Sequence, residues 1–292
     1  RYQKVVESAP AWSVPVETIE KLREDAVKIA KSVGYVSAGT VEFLVDGKSG
    51  QHYFIEMNPR IQVEHTVTEL VTDIDIVRSQ ILVAQGYPLN SAEIGIPSQE
   101  SIQCHGYAIQ TRVTSEDPSN NFMPDTGKVT LYTSGSGNGI RLDGGNAFTD
   151  STISPYYDSL LVKVTAYSRS FNDAANKAVR ALSETRIKGV KTNIPFLLNV
   201  RNHPTFRAGK CDTGFIGDNP ELLTVRALGD KTNKVLTFLA DKYINETKGH
   251  KPNFDVPVFP RIKQEEINKL SGTKQILDAH GPKGLADWVL DQ

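Results

Sequence analysis

The sequence predicts an α+β fold. Three segments carry apolar residues at helical spacing, and five carry the β-branched and aromatic residues typical of strands. Hydrophobic residues make up 39% of the 292 residues, which is enough to bury a sizeable core in roughly two domains.

The composition excludes several classes of function. The chain has 33 Lys and Arg residues against 34 Asp and Glu, a near balance that fits neither a basic nucleic-acid binder nor a disordered tail. No apolar run approaches the ~18 residues of a membrane span, and the first residues lack the apolar stretch of a secretory signal. We therefore expect a cytoplasmic protein with no membrane or nucleic-acid partner. Its two cysteines lack metal-site spacing and are interpreted as free thiols.

Proline, glycine and serine mark the predicted helix ends. The first helix is predicted to begin near Pro15 and to stop at Gly34. The second is predicted over residues 73–85, where apolar residues recur at helical spacing. The third is predicted to begin at Ser170, a residue type that caps helix N-termini.

Five strands are predicted around these helices. The first two, over residues 38–45 and 52–57, flank a glycine-bearing loop and are predicted to pair as a hairpin. The others are predicted over residues 102–114, 127–133 and 158–167, among glycine-rich turns.

Both ends of the chain predict a piece of a longer polypeptide. The chain starts with Arg1 rather than Met, and its last residues keep helical spacing without a stop signal. The composition changes beyond about residue 220. Residues 232–244 are predicted to be helical, and residues 246–260 contain three prolines that predict a linker.

The two hairpin strands can be aligned from their own pattern, because a one-residue slip would move every side chain to the other face. The alignment with a continuous apolar face pairs Val41 with Met57, Phe43 with Ile55 and Val45 with Tyr53. On the opposite face it pairs Thr40 with Asn58, Glu42 with Glu56 and Leu44 with Phe54. Two carboxylates are therefore predicted directly across the strand pair.

The facing glutamates predict a cation site. Two bare carboxylates about 4 Å apart would repel by ~4 kcal/mol at an effective dielectric constant of about 20. A hard divalent cation such as Mg²⁺ or Mn²⁺ would offset this repulsion, and Asn58 offers a further oxygen ligand. The alternative is a solvated hairpin face on which Glu42 and Glu56 diverge into water.

Polar side chains continue beyond the second hairpin strand. An extended chain would place five of them on one side: Glu56, Asn58, Arg60, Gln62 and Glu64. The guanidinium in this row offers a bidentate fork for an anion, and Glu64 is a candidate general base. The row predicts one wall of a cleft that binds a metal and an anion and removes a proton.

A further arginine lies on the long strand predicted over residues 102–114. Alternation puts Arg112 on a face of small or polar residues, so that its guanidinium can reach an open cleft. A fixed cation there would stabilise developing negative charge. The alternative is a structural arginine paired with Glu116 or Asp117.

These residues lie in motifs that resemble a known family. The run FIEMNPRIQVEHTVTE, preceded by GTVEF, resembles the biotin carboxylase component of the biotin-dependent carboxylases, which are ligases with an ATP-grasp fold. HGYAIQTRVTSEDP, at residues 105–118, extends the resemblance. It implies the C-terminal part of an ATP-grasp lobe over residues 1–90 and a biotin carboxylase C-terminal domain over residues 91–221. Residues 222–292 would then form a helical and proline-rich linker and oligomerisation segment.

The resemblance also implies a role for each matching residue. It implies metal ligands at Glu42, Glu56 and Asn58, and catalytic residues at Arg60, Glu64 and Arg112. Bicarbonate would be held by Lys4, Arg60, Gln62 and Val63, and ATP by Tyr2, Glu42 and Glu56. Arg112 would bind biotin and stabilise its enolate. Tyr2 stands where the family frequently has a histidine, so its role is the one departure in this set.

The implied ligands are ATP, Mg²⁺ or Mn²⁺, bicarbonate as a substrate, and biotin carried on another domain. The implied partners are the biotin carboxyl carrier and carboxyltransferase domains of the same polypeptide, with a biotin carboxylase dimer and a tetramer as oligomers. The glycine-rich lid of the family's ATP site is not among these 292 residues. We therefore expect this chain alone not to turn over ATP.

The segment after residue 221 decides which carboxylase the chain resembles most. It resembles the region leading into the carboxyltransferase domain of the pyruvate carboxylases, of bacterial type, in which acetyl-CoA activation and tetramer assembly are partly housed. This implies that the carboxyl group passes from biotin to pyruvate, giving oxaloacetate. The alternatives are the corresponding part of an acetyl-CoA or propionyl-CoA carboxylase, and a non-catalytic assembly scaffold.

Overall fold

The computed structural model describes residues 4–145, 147–224 and 235–242. The chain divides into two units, Arg1–Val225 and Arg226–Gln292. The helices of the first unit are α1 (Val16–Ser32), α2 (His65–Thr72), α3 (Ile76–Ala84), α4 (Phe171–Glu184), α5 (Ile194–Asn202), α6 (Pro204–Arg207) and α7 (Phe215–Asp218). The described part of the second unit is a helix at residues 235–242.

The strands are short, and most belong to antiparallel pairs. They are β1 (Val6–Ala9), β2 (Thr40–Val45), β3 (His52–Asn58), β4 (Tyr107–Thr114), β5 (Glu116–Asp117), β6 (Met123–Pro124), β7 (Gly127–Lys128), β8 (Leu131–Thr133), β9 (Ile140–Gly144), β10 (Thr152–Ile153), β11 (Leu160–Ser168) and β12 (Arg186–Lys188). Together with the helices they confirm the predicted α+β class.

The core of the first unit is built on a four-stranded antiparallel sheet in the order β1-β4-β11-β9. On one face, Ile109 and Val113 of β4 join a large apolar cluster with residues of α4 and α5. On the other face, Ala108 packs with Val67 and Val71 of α2. Both faces of β4 are therefore covered, and α2 is the element that lies against the face carrying Arg112.

Two of the predicted helices begin and end as their signals indicate. Helix α1 is preceded by Pro15 and followed closely by Gly34, which has a positive φ of 61°. Helix α4 is capped by Ser170, whose hydroxyl accepts a hydrogen bond from the Asp173 backbone N–H at 3.2 Å.

The prediction of one helix over residues 73–85 was wrong at its start, and it missed α2. Asp73 adopts a left-handed conformation, with φ 58°, that ends α2. Helix α3 then starts at Ile76, because the carboxylate of Asp75 caps it by accepting from the Arg78 backbone N–H at 2.7 Å. The apolar spacing was correct, but the two caps divide the segment.

Two of the predicted strands, over residues 102–114 and 127–133, have different bounds in the structure. Strand β4 begins at Tyr107 rather than near residue 102, since Gly106 turns the chain with a φ of 64°. The strand predicted over residues 127–133 is divided into β7 and β8, which pair with different partners.

The β2–β3 hairpin forms, but only part of its predicted register is correct. Glu42 lies opposite Glu56 as predicted. A bulge then shifts the register, so that Phe43 pairs with Phe54 instead of Ile55. The rings of Phe43 and Phe54 meet edge to face at 6.3 Å, and Ile55 is the extra residue. The predicted continuous apolar face is therefore wrong beyond Glu42.

The helix at residues 235–242 lies inside the one predicted over residues 232–244. The predicted linker over residues 246–260 lies outside the described residues. Within the part of the chain that the structure describes, no helix is both long and apolar enough to cross a membrane.

Candidate active site

Four parts of the chain bring charged side chains together. These are the segment that leads into and includes β1, the β2–β3 hairpin, the connection from β3 to α2, and the face of β4 that α2 covers. The residues predicted from the sequence come from all four parts. Their contacts are described below from the hairpin toward β4.

The carboxylate pair on the hairpin is held together by an amide. The side-chain nitrogen of Asn58 donates to Glu42 Oε1 and to Glu56 Oε1, each at 3.0 Å. Glu42 Oε1 also accepts from Gln62 Nε2 at 3.0 Å and forms an ion pair with Lys4. The hydrogen bond from Gln62, followed by that from Lys4, lowers the pKa of the Glu42 carboxyl. The repulsion between the two glutamates is therefore offset by nitrogen donors.

The same residues fit a hard divalent cation. Two carboxylates and an amide oxygen are the ligand types that Mg²⁺ and Mn²⁺ prefer, with substrate phosphates and water completing the shell. A half-turn of the Asn58 amide would replace its nitrogen by its oxygen between the two carboxylates. Within the described residues, no group of three or more His, Cys, Asp or Glu side chains could hold a metal. A cation here would therefore depend on Glu42, Glu56 and Asn58.

The prediction of an extended row from Glu56 to Glu64 was wrong. Strand β3 ends at Asn58, and Glu64 occupies the N-cap position of α2, so the chain turns between them. Gln62 is buried by this turn and reaches back to Glu42, whereas Arg60 is exposed and donates to the Ile61 carbonyl at 3.1 Å. The row failed because the strand stops at Asn58 and the chain turns over residues 59–64 before α2 begins.

Arg112 forms ion pairs with two carboxylates. Its Nη2 lies 2.7 Å from Glu64 Oε2 and 2.8 Å from Glu7 Oε1. The alternative partners fail: Glu116 accepts from Thr114 and Ser159, and Asp117 pairs with Lys191. The Arg112 side chain is 21% exposed, so it stays accessible at the edge of the core.

Lys4 joins the hairpin to the Arg112 pair. Its Nζ contacts Glu42 and lies 3.5 Å from Glu64 Oε1. Burial opposes the charged form of Lys4, but the hydrogen bond to Glu42 and the charge of Glu64 outweigh it and raise the Lys4 pKa. Tyr2 lies outside the described residues.

Sequence reasoning missed two charged residues of this region. Glu7 contacts Arg112, and Lys163 of β11 is 8% exposed and donates to the Val63 carbonyl at 3.2 Å. Burial lowers the pKa of Lys163. The available signal was a single charge in an apolar run, VVES for Glu7 and LLVKV for Lys163.

Three buried polar atoms in the site have no hydrogen-bond partner among the described residues. They are Nε of Arg112, Oε1 of Gln62 and Oε1 of Glu7, which lies at ion-pair distance from Arg112 without hydrogen-bond geometry. Buried polar groups are rarely left without a partner in folded proteins, and a bound ligand or water is the usual explanation. Glu64 lies between Lys4 and Arg112, so the described residues bring one carboxylate and two cationic side chains together at this point.

Residues 110–218 match the family model of the biotin carboxylase C-terminal domain. The chain carries a biotin carboxylase C-terminal domain. Residues 1–92 match the ATP binding domain of the carbamoyl-phosphate synthase L chain. The resemblance found in the sequence motifs is thereby confirmed.

Some similar proteins match the whole chain and not only its biotin carboxylase C-terminal domain. The Bacillus subtilis pyruvate carboxylase is 51% identical over 296 residues, covering 100% of this chain and 26% of that protein. A Rhizobium etli pyruvate carboxylase variant, solved with the allosteric activator acetyl coenzyme-A, matches with a TM-score of 0.79 and 45% identity. That match covers 100% of this chain and 28% of the other. The chain thus spans about a quarter of the length of the pyruvate carboxylases it matches.

A third relative is an isolated biotin carboxylase domain. The domain dimer of the Hydrogenobacter thermophilus 2-oxoglutarate carboxylase, in complex with MgADP, ADP and bicarbonate, matches with a TM-score of 0.72 and 40% identity. The match covers 77% of this chain and 48% of the other.

Proposed function

We propose that this chain forms part of a pyruvate carboxylase and contributes to the site where biotin is carboxylated. ATP and bicarbonate would give ADP and carboxyphosphate, which would break down to CO₂ and phosphate. A ring nitrogen of biotin would lose its proton to that phosphate and bond to the carbon of CO₂. A domain outside this chain would then pass the carboxyl group to pyruvate, giving oxaloacetate. The observation that carries the proposal is one continuous set of contacts from the hairpin through Lys4 and Glu64 to Arg112.

Glu64 is the proposed general base. Lying between Lys4 and Arg112, it would take the proton of bicarbonate, so that a bicarbonate oxygen can attack the γ-phosphorus of ATP and ADP leaves. Bicarbonate would be held by Lys4, Arg60, Gln62 and Val63. The unpartnered Oε1 of Gln62 supports a ligand at this point.

Arg112 is the proposed partner of biotin. When the ring nitrogen of biotin loses its proton, negative charge develops on the ureido oxygen, and a guanidinium fixed beside it stabilises that charge. The partial exposure of Arg112 and its unpartnered Nε support this role. Glu42, Glu56 and Asn58 would hold Mg²⁺ or Mn²⁺, which when bound neutralises phosphate charge. Tyr2, Glu42 and Glu56 would contact ATP.

Pyruvate is preferred as the acceptor because of the segment over residues 222–292. The isolated biotin carboxylase domain covers 77% of the chain, whereas pyruvate carboxylases cover all of it. The match over the residues after 221 supports a pyruvate carboxylase, and the corresponding part of an acetyl-CoA or propionyl-CoA carboxylase stays the alternative. The proposed partners are the biotin carboxyl carrier and carboxyltransferase domains of the same polypeptide, in a dimer or tetramer. Acetyl-CoA as the effector and a cytoplasmic location stay predictions.

Bicarbonate-dependent ATP cleavage tests the proposal. The full-length protein that contains this chain should cleave ATP in the presence of bicarbonate and free biotin. Arg112→Ala and Glu64→Gln should each lower the rate at least a hundredfold, or about 2.7 kcal/mol, the size expected when a transition-state contact is lost. A scaffold without catalysis would show no such cleavage in the wild-type protein.

A further inference from the structure

A second carboxylate lies on Arg112, and the reaction proposed above does not use it. Glu7 of β1 places Oε1 2.8 Å from Arg112 Nη2, the same nitrogen that contacts Glu64 at 2.7 Å. The Glu7 side chain is 12% exposed. A carboxylate so deeply buried is costly unless its charge is paired, and here it is paired with one guanidinium.

Glu7 is itself fixed by the sheet. It lies directly opposite Gln110 in the β1–β4 ladder, and its Oε2 accepts from Gln110 Nε2 at 3.0 Å. Gln110 in turn accepts a hydrogen bond from Thr66 in the first turn of α2. Gln110 and Thr66 are both fully buried, so neither contact is exchanged with water.

These contacts close into a ring. Thr66 lies two residues after Glu64, at the start of the same helix, and Glu64 is the other carboxylate on Arg112. The ring therefore runs from Arg112 through Glu7, Gln110 and Thr66 to Glu64 and back to Arg112. Through it, two carboxylates that are linked to each other by the sheet and α2 both hold the Nη2 atom of Arg112.

We propose that Glu7 is a positioning residue, which holds the guanidinium of Arg112 in place for biotin. The proposal rests on the function proposed above for Arg112. Without the second carboxylate, the guanidinium would keep only Glu64 as its acidic partner and could swing fully onto it. Biotin would then lose its fixed cation, whereas the nucleotide and metal contacts of the hairpin would be untouched.

The charge state of Glu7 follows from its surroundings. The charged groups that act on it in the described part of the chain are Arg112 of β4, Glu64 at the start of α2 and Arg201 of α5. Burial raises the pKa of Glu7 to about 7, although the charge of Arg112 opposes the rise. The carboxylate is therefore protonated below about pH 7, and above it the ionised form pairs with Arg112. We expect kcat/KM for biotin to rise through this pH.

Glu7→Gln in the full-length protein tests the proposal, since it removes the charge and keeps the shape. We expect kcat/KM for free biotin to fall about tenfold to a hundredfold, as for a lost contact between two charged groups. KM for ATP should stay unchanged, and the rise of kcat/KM through pH 7 should disappear. Glu184→Gln, which breaks an exposed pair with Arg180 on α4, is the matched control and should leave all three quantities unchanged.

Three results would overturn the role of Glu7. They are an unchanged kcat/KM for biotin, an equal fall in kcat/KM for ATP and for biotin, and a rise of kcat/KM for biotin through pH 7 that persists in the variant. If Glu7→Gln does not fold, Glu7→Asp takes its place, and it should lower kcat/KM for biotin because it withdraws the carboxylate by one methylene. Failure of the proposed function is a separate result, in which the wild-type protein shows no bicarbonate-dependent ATP cleavage at all.

Discussion

At the scale of single residues, the site is arranged so that its negative charges are compensated in the absence of a metal. Glu42 accepts from Lys4, Asn58 and Gln62, and Asn58 also donates to Glu56. A cation must therefore exchange with nitrogen donors rather than enter an empty cage. Of the three proposed ligands, Glu56 is exposed and, among the described residues, accepts a hydrogen bond only from Asn58, so its loss should affect metal binding most selectively.

Glu56→Gln should weaken metal binding and leave the fold intact. The variant keeps an oxygen at position 56 but loses the negative charge that a hard cation requires, so the Mg²⁺ or Mn²⁺ concentration for half-maximal activity should rise about tenfold or more. The melting temperature should be unchanged or slightly higher. Activity measured at increasing metal concentrations gives the first quantity, and thermal unfolding of the full-length protein gives the second. The control is Glu20→Gln, which changes an exposed residue of α1. Unchanged metal dependence would favour the solvated-face alternative.

Glu7 should make the stability of the fold depend on pH. Burial raises its pKa from 4.5 to about 7, so between these values the folded chain keeps a proton that the unfolded chain has released. The free energy of unfolding therefore falls as pH rises through this window, by about 3 kcal/mol in total at ~1.4 kcal/mol per pH unit. Glu7→Gln lacks this loss and should gain stability relative to wild type between pH 5 and pH 8. Urea unfolding at the two pH values tests this, and an equal difference at both would contradict it.

Single residues also show how much of the site can be predicted from the sequence. The opposition of Glu42 and Glu56 was predictable, because both lie on one hairpin and strand alternation fixes their faces. Glu7 was not, because its contact with Arg112 depends on pairing between β1 and β4, whose residues are about a hundred positions apart. Lys163 was missed for the same reason, since it meets Val63 only after β11 and the loop before α2 have packed.

At the scale of elements, α2 decides the geometry of the site. The sequence suggested extended chain up to Glu64, and this pattern also fits a turn followed by a helix, because polar residues at alternate positions do not distinguish the two. The hairpin bulge was hidden for a related reason. The alignment by hydrophobicity paired Ile55 with Phe43 on the apolar face. In the structure Phe43 packs against Phe54 instead, and Ile55 is the extra residue of the bulge. Local patterns predicted some of the elements but missed α2, and the caps at Asp73 and Asp75 set helix ends that hydrophobic spacing did not reveal.

Thr66→Val should loosen α2 from the sheet. Thr66 is fully buried, and its hydroxyl contacts Gln110 and, at 3.0 Å, Thr165. Valine has a similar shape but leaves the Gln110 side-chain oxygen without this donor, at a cost of about 1–3 kcal/mol in the free energy of unfolding. Denaturant unfolding measures the loss, and Thr68→Val on the exposed side of the same helix is the control. Equal effects of the two substitutions would show that the buried hydroxyl does not anchor α2.

At the scale of the whole molecule, we propose that this chain contributes one part of the site where biotin is carboxylated. It spans about a quarter of the pyruvate carboxylases it matches, and the predicted boundaries near residues 90 and 221 stay predictions. We expect the 292-residue chain by itself to show no bicarbonate-dependent ATP cleavage, while the full-length protein does. The same assay on both proteins measures this, and equal rates would mean that the nucleotide site lies wholly within the chain.

The most direct test of the account is the transfer of label from isotopically labelled bicarbonate to free biotin by the full-length protein. The account predicts ATP-dependent labelling in the wild-type protein, a loss of at least about a hundredfold in Glu64→Gln and in Arg112→Ala, and wild-type labelling in the surface variant Glu184→Gln. Wild-type labelling in Glu64→Gln and Arg112→Ala would contradict it, because the two residues at the centre of the site would then take no part in the reaction.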